Sequence, residues 1–287
     1  NSSNPGFVEI GRRLGKDKLY EYVKKFGLTE KTGIDLPGES KGIMFDYDAF
    51  NELEQATVAF GQGISITPMQ LVRAVCACVN GGTLYKPYLV DKIIDSYSND
   101  IVYEHKPEAL RKVISEDASK KMRDALESVV TDGGGKNAYI DGYRIGGKTG
   151  TAQKAVNGSY VDGGYILSFI GIAPIDDPKI VLYVAMDNPK NCVQYGGTTV
   201  APIARKMLVD ILPSMNVKKV SSQRQKAYTF MDTKTLKVEN YIGKSKKEVS
   251  NPELKFEFIG EGDKVIDQLP RVGESVEAGS TIVIMLG

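Results

Sequence analysis

Residues 143–153 read Tyr-Arg-Ile-Gly-Gly-Lys-Thr-Gly-Thr-Ala-Gln. The run 143–151 is strand-like, and Gly146, Gly147 and Gly150 leave Lys148 with few neighbouring side chains. The backbone of an extended peptide can lie along such a strand edge. The hydroxyls of Thr149 and Thr151 suit a carboxylate, with the positive charge of Lys148 beside it. The backbone N–H of Thr151 is a candidate donor to a developing oxyanion. Acyl transfer needs such donors together with a nucleophile and a base.

A Lys-Thr-Gly tripeptide alone is weak, expected by chance in roughly one chain in fifteen of this length. Lys31-Thr32-Gly33 repeats it, but leads into the turn-rich Ile34-Asp35-Leu36-Pro37-Gly38-Glu39. Only the second copy has the strand setting that the chemistry asks for. At the start of the chain, Ser2-Ser3-Asn4 alone reads as a cap or turn. It gains meaning only in conjunction with Lys148.

Working outward, two further strand-like runs, 165–173 and 179–187, flank a short turn at 174–178 and form a hairpin. Helices surround them. Residues 16–26 place Leu19, Tyr22, Val23 and Phe26 on one stripe, stopped by Gly27. Thr67 caps a helix with Pro68 at its first position and Gln70 closing a capping box; Leu71, Ala74, Val75, Cys78 and Val79 form its core face. A third helix starts near Ser115, with Met122, Leu126 and Val129 buried, and ends at Gly133-Gly134-Gly135. A fourth, about 198–212, turns Val200, Ile203, Ala204, Met207, Leu208 and Ile211 inward. An antiparallel sheet with flanking helices is an α+β arrangement. After Pro213 the composition changes: 214–235 reads as a polar linker and 236–287 as a small separate module of short strands.

Composition excludes several classes. Of 287 residues, 41% are hydrophobic and 25% charged, ordinary for a globular protein. The formal net charge of +1 contains no concentrated basic block, which argues against nucleic-acid binding. Cys76, Cys78 and Cys192 make no disulfide framework and read as buried small side chains. With His105 they lack the close spacing of a zinc site, so neither a metal nor a cofactor is expected. A single histidine also favours a lysine base over a Ser-His-Asp arrangement.

The conjunction of motifs resembles the class B penicillin-binding proteins. It is carried by Ser2-Ser3-Asn4-Pro5-Gly6-Phe7 leading into Gly11-Arg12-Arg13-Leu14-Gly15, by 31–39, and by Phe60-Gly61-Gln62-Gly63-Ile64-Ser65-Ile66-Thr67-Pro68. Lys148-Thr149-Gly150-Thr151-Ala152-Gln153, Ser168-Phe169-Ile170-Gly171-Ile172-Ala173-Pro174 and Ala201-Pro202-Ile203 complete it in the family's order. The resemblance implies a penicillin-binding, serine β-lactamase-like fold over 1–213. The stretch 236–287, with Gly243, Gln268-x-Pro270, Gly273 and Ser280-Thr281, resembles a PASTA module with a short helix at 244–250. One such module after this linker is most like a sporulation member of the family.

Such a resemblance implies a peptidoglycan D,D-transpeptidase that β-lactams acylate, working on stem peptides and their lipid-linked precursor without a cofactor. A glycosyltransferase of the division or sporulation machinery is the implied protein partner, and the extracytoplasmic face of the membrane the implied location, reached by an upstream anchor. Ser2 is implied as a proton relay, Asn4 as a contact to the catalytic lysine and the substrate amide. Lys148, Thr149, Gly150 and Thr151 would hold the substrate, with Thr151 N–H in the oxyanion hole. The nucleophile motif of the family, Ser-x-x-Lys, occurs nowhere in the 287 residues. The expectation is therefore a fragment, inactive alone, of an active enzyme; the alternative is a catalytically inactive wall-binding or scaffold protein. A class A β-lactamase or D,D-carboxypeptidase fits the C-terminal module and the Gly-Gln-Gly-Ile segment poorly.

Overall fold

The computed structural model describes residues 2–156, 159–220 and 235–287. They belong to two compact units, Asn1–Arg224 and Gln225–Gly287. Residues 221–234 of the expected linker lie outside the described residues.

The first unit starts with α1 (Asn4–Leu14), whose first turn is capped by the Ser3 hydroxyl accepting from Gly6 N. Gly15, at φ 84°, separates it from α2 (Lys16–Lys25). Next come α3 (Glu52–Ala59) and α4 (Pro68–Val79). The capping box at Thr67 and Gln70 forms with both of its hydrogen bonds. Two small two-stranded sheets follow, β1 (Thr83–Tyr85) with β4 (Ala109–Lys112) and β2 (Lys92–Ile94) with β3 (Ile101–Glu104). Strands of three or four residues leave too little periodicity to show in the sequence.

After α5 (Glu116–Thr131), capped by Ser115, come β5 (Gly146–Val156), β6 (Ser159–Ala173) and β7 (Ile180–Asp187). They form an antiparallel sheet in the order β5-β6-β7, so among the described residues β5 has one unpaired edge. A short α6 (Gly196–Thr199) leads into α7 (Ala201–Ser214). Leu167 and Phe169 pack with Val200, Ala204, Leu208 and Leu212 on one face. On the other, Ile172 meets Val79, Ile175, Val75 and Leu126. The sheet is thus a layer between helices.

Two helices keep part of the expected faces (Leu126 in α5; Val200, Ala204 and Leu208 at α7) and depart from the rest. In α5 Met122 is exposed, and Ser119 and Val130 are the buried residues. In α7 Ile203 and Met207 are exposed while Ala201, Ala204, Leu208 and Leu212 turn inward. Ala201 and Ala204 let α7 sit close to the sheet, Leu208 and Leu212 fill the contact, and Ile203 and Met207 fall outside it. Beyond α7, Val220 N donates to Gly142 O (2.8 Å) and Val217 packs on the core.

The face of α4 also buries polar groups. Gln70 Nε2 donates to the carbonyls of Leu28, Glu30 and Lys41 (3.3, 2.7 and 2.9 Å). Arg73 donates to Gly27 O (2.7 Å) and Thr32 O (3.2 Å). Together they hold the loop 27–42, where a carbonyl without a partner would be costly. Burial pushes the Cys78 thiol up to about 11 and raises that of Cys76 as well, which keeps both unreactive near neutral pH.

The second unit is built from β8 (Thr235–Lys237), β9 (Lys255–Ile259), β10 (Val265–Leu269), β11 (Ser275–Glu277) and β12 (Thr281–Leu286). β12 lies between β9, to which it is parallel, and antiparallel β10; β8 pairs with β11. Tyr241, Val265, Ile282 and Ile284 are core. Gln268 is buried, accepting from Tyr241 N (2.7 Å) and donating to Glu239 O (2.9 Å). Where a short helix was expected at 244–250, only a single 3₁₀ turn forms, Lys246–Glu248. Asn251-Pro252 follows too soon for a longer one.

Replacing Gln70 by leucine strands three carbonyls and should lower stability by about 3 kcal/mol. Urea unfolding checks this as a lower midpoint at unchanged slope. A loss below about 0.5 kcal/mol would place Gln70 among neutral surface changes and contradict the assignment.

Candidate active site on the open sheet edge

Lys148 is the third residue of β5, on the strand whose outer edge is unpaired. Its Nζ donates to Ser2 Oγ (3.0 Å) and to Thr149 O (2.7 Å). These two residues are 146 positions apart, so the fold has brought the chain's first turn to the sheet edge. No carboxylate forms an ion pair with Lys148 among the described residues. Burial alone pushes its pKa below the ordinary lysine value. A half-buried ammonium held only by neutral oxygens is poised to receive an anion.

Ser2 precedes α1, and the Ser3 cap with Pro5 at the helix start fixes its direction. Asn4 opens α1 and is exposed; no hydrogen bond joins it to Lys148 among the described residues. Along β5 successive side chains alternate, so Thr149 and Thr151 share the face opposite Lys148. Thr149 is buried, and Thr151 Oγ1 accepts from Gly196 N (3.3 Å). The threonine hydroxyls and the ammonium therefore lie on opposite faces of β5.

The glycines of β5 answer to the protein's own packing. A Cβ on Gly146 would lie 2.5 Å from Ile175 Cδ1; on Gly147 it would strike the Phe169 ring, and on Gly150 the Ser168 hydroxyl. Close contact continues beside the site. A Cβ on Gly134 would collide with Tyr195 Oη, one on Gly197 with Gly134 O, and one on Gly196 would lie 2.5 Å from the carbonyls of Gly150 and Ser168. Tyr195 was not singled out in the sequence, and Gly134 was read only as part of the stop after the third helix, although the glycine runs 133–135 and 196–197 were a visible signal.

The decoy Lys31-Thr32-Gly33 is a loop clamped by Glu39, whose carboxylate accepts from Thr32 N (2.7 Å), Gly33 N (3.0 Å) and the Thr32 hydroxyl. His105 stacks on Tyr88, its Nδ1 3.2 Å from Tyr103 Oη, beside a pocket of about 360 Å³ that none of the β5 residues lines.

The family model of the penicillin-binding protein transpeptidase domain matches residues 1–209. Stage V sporulation protein D of Bacillus subtilis (strain 168) is 50% identical over 288 residues, covering 100% of this chain and 45% of that protein. The peptidoglycan D,D-transpeptidase FtsI homolog of Mesostigma viride is 33% identical over 230 residues, 74% of this chain and 38% of that protein. Penicillin-binding protein 3 of Mycobacterium tuberculosis, solved with ampicillin, superposes with TM-score 0.72 at 30% identity, over 78% of this chain and 51% of that one. The chain spans less than half the length of these two curated relatives.

Because burial lowers the Lys148 pKa, the unfolded chain holds more protons between the folded value and 10.5, so stability rises with pH through that window. In NMR of carbon-13 methylated lysines, Lys148 should titrate below 10.5 and return to that value on unfolding. A folded-state midpoint at or above it would contradict the desolvated site.

Proposed function

The chain belongs to the penicillin-binding protein transpeptidase family, and from this we propose that the complete protein is a peptidoglycan D,D-transpeptidase acting through a serine acyl-enzyme. The observation that carries the reading is the Lys148 Nζ to Ser2 Oγ hydrogen bond on the open edge of β5.

In this reading a stem peptide adds to β5 as an extra strand. Its terminal carboxylate meets the Thr149 and Thr151 hydroxyls, with the positive charge of Lys148 across the edge. A serine in a Ser-x-x-Lys motif outside these 287 residues attacks the penultimate D-Ala carbonyl, and the lysine of that motif takes the serine proton. Negative charge on the carbonyl oxygen is met by Thr151 N–H and the serine N–H. Ser2, hydrogen-bonded to Lys148, relays the proton to the departing D-Ala amine, and Asn4 contacts the motif lysine and the substrate amide. The amine of a second stem peptide then displaces the serine and completes the cross-link. β-Lactams acylate the same serine, because their amide and carboxylate present the same groups as the peptide terminus.

The whole-chain identity to the sporulation protein favours a sporulation role. For residues 236–287 the reading keeps a PASTA-like module, and for the complete protein an extracytoplasmic position with a membrane anchor and a glycosyltransferase partner. No helix among the described residues is long and apolar enough to cross a membrane.

The full-length protein should form a covalent adduct with fluorescent penicillin, Lys148→Ala should reduce the acylation rate by at least about 100-fold, and the 287-residue chain alone should not label. Undiminished labelling of folded Lys148→Ala would remove Lys148 from the site. An unlabelled full-length protein would favour the scaffold alternative.

A further inference from the structure

α1, the helix that carries Ser2, is weakly embedded. Its sole buried residue is Gly11, while Phe7 and Ile10 are exposed and Arg12 and Arg13 pair with Glu9 on the surface. It packs along α3, with Val8 and Leu14 half-buried, and its tightest approach is at Gly11. A Cβ on Gly11 would fall 2.5 Å from Ala59 Cβ, a short, rigid group that cannot swing aside. At the same point Gln55 Nε2 donates to Gly11 O (2.9 Å), the carbonyl that also accepts from Gly15 N (3.0 Å) at the end of the helix.

We infer that Gly11 and Gln55 are positioning residues for the reaction: the glycine contact and the glutamine bond seat α1 so that Ser2 Oγ stays within reach of Lys148 Nζ. Neither touches Lys148; Gly11 lies about 10 Å along the helical rise from Asn4, where α1 begins two residues after Ser2. A side chain at position 11 must move α1 away from Ala59 by about 1 Å to reach ordinary contact distance. Ser2 moves with the helix, and a 3.0 Å hydrogen bond lengthened by that much is broken. Misplacement on that scale costs up to about 100-fold in rate. This inference rests on the proton-relay role proposed above for Ser2.

The test uses the full-length protein and penicillin acylation, separating noncovalent affinity from the acylation rate constant, at a temperature where each variant is folded by circular dichroism. Gly11→Ala should lower the rate constant about 10-fold or more with affinity unchanged. Adding Ala59→Gly, which reopens the space, should restore it to within about 3-fold. In a Ser2→Ala background Gly11→Ala should have no further effect. A wild-type rate in folded Gly11→Ala, a defect that Ala59→Gly does not rescue, or full additivity with Ser2→Ala would overturn the inference. If Gly11→Ala does not fold, Gln55→Ala decides: a slower acylation step at unchanged affinity supports the inference and a wild-type step overturns it. Lys148→Ala in the same assay keeps the two readings apart, since loss of labelling there with an unaffected Gly11→Ala sinks only the positioning claim.

Discussion

A cationic ammonium without a carboxylate is the constraint around which the first unit is arranged. Lys148 Nζ has a hydroxyl and a carbonyl oxygen as partners, and both are neutral. Burial makes its charge unfavourable, a cost that the rest of the fold has to offset. Two other partly buried cations are neutralised: Arg144 is bound bidentately by Glu127 (2.8 and 2.6 Å), and Lys154 is paired with Asp187 (2.5 Å). Leaving Lys148 unneutralised on an open strand edge suits a group whose counter-ion arrives with the ligand.

Two kinds of packing keep that ammonium in place. The sheet is clamped on both faces by helices, and close contact at Gly146, Gly147 and Gly150 lets β5 lie tight against Ile175, Phe169 and Ser168. The strand is rigid because its own neighbours fill the space its glycines leave. By contrast α1 brings Ser2 to the edge through a single buried residue. One partner of the Lys148–Ser2 bond is therefore fixed by the core and the other by a largely exposed helix packed on α3, so disturbance should enter from the helix side.

Local chemistry was legible in the sequence. The capping box at Thr67, the Ser115 cap, the stop at Gly27 and the hairpin of β6 and β7 depend on neighbours a few residues away. Lys148 was separable from its decoy because strand context is also local. Less was legible where a distant group decides. Gln70 and Arg73 look like surface residues until the carbonyls of loop 27–42 close on them. Met122, Ile203 and Met207 fit an apolar stripe, yet the way their helices lie on the sheet leaves them exposed. The packing of the β5 glycines against Ile175, Phe169 and Ser168 was hidden because the sequence does not reveal which side chains of the adjacent elements lie above them. Tyr195, standing over Gly134 beside the site, was hidden for the same reason.

The most direct measurement is a crystal structure of the full-length protein acylated by a penicillin. The ligand carboxylate should lie within hydrogen-bond distance of the Thr149 and Thr151 hydroxyls, the ligand amide should pair with the free edge of β5, and Ser2 Oγ should still be bonded to Lys148 Nζ. An adduct on a serine away from β5, or a bound ligand whose carboxylate avoids this edge while Lys148 stands apart from Ser2, would contradict it.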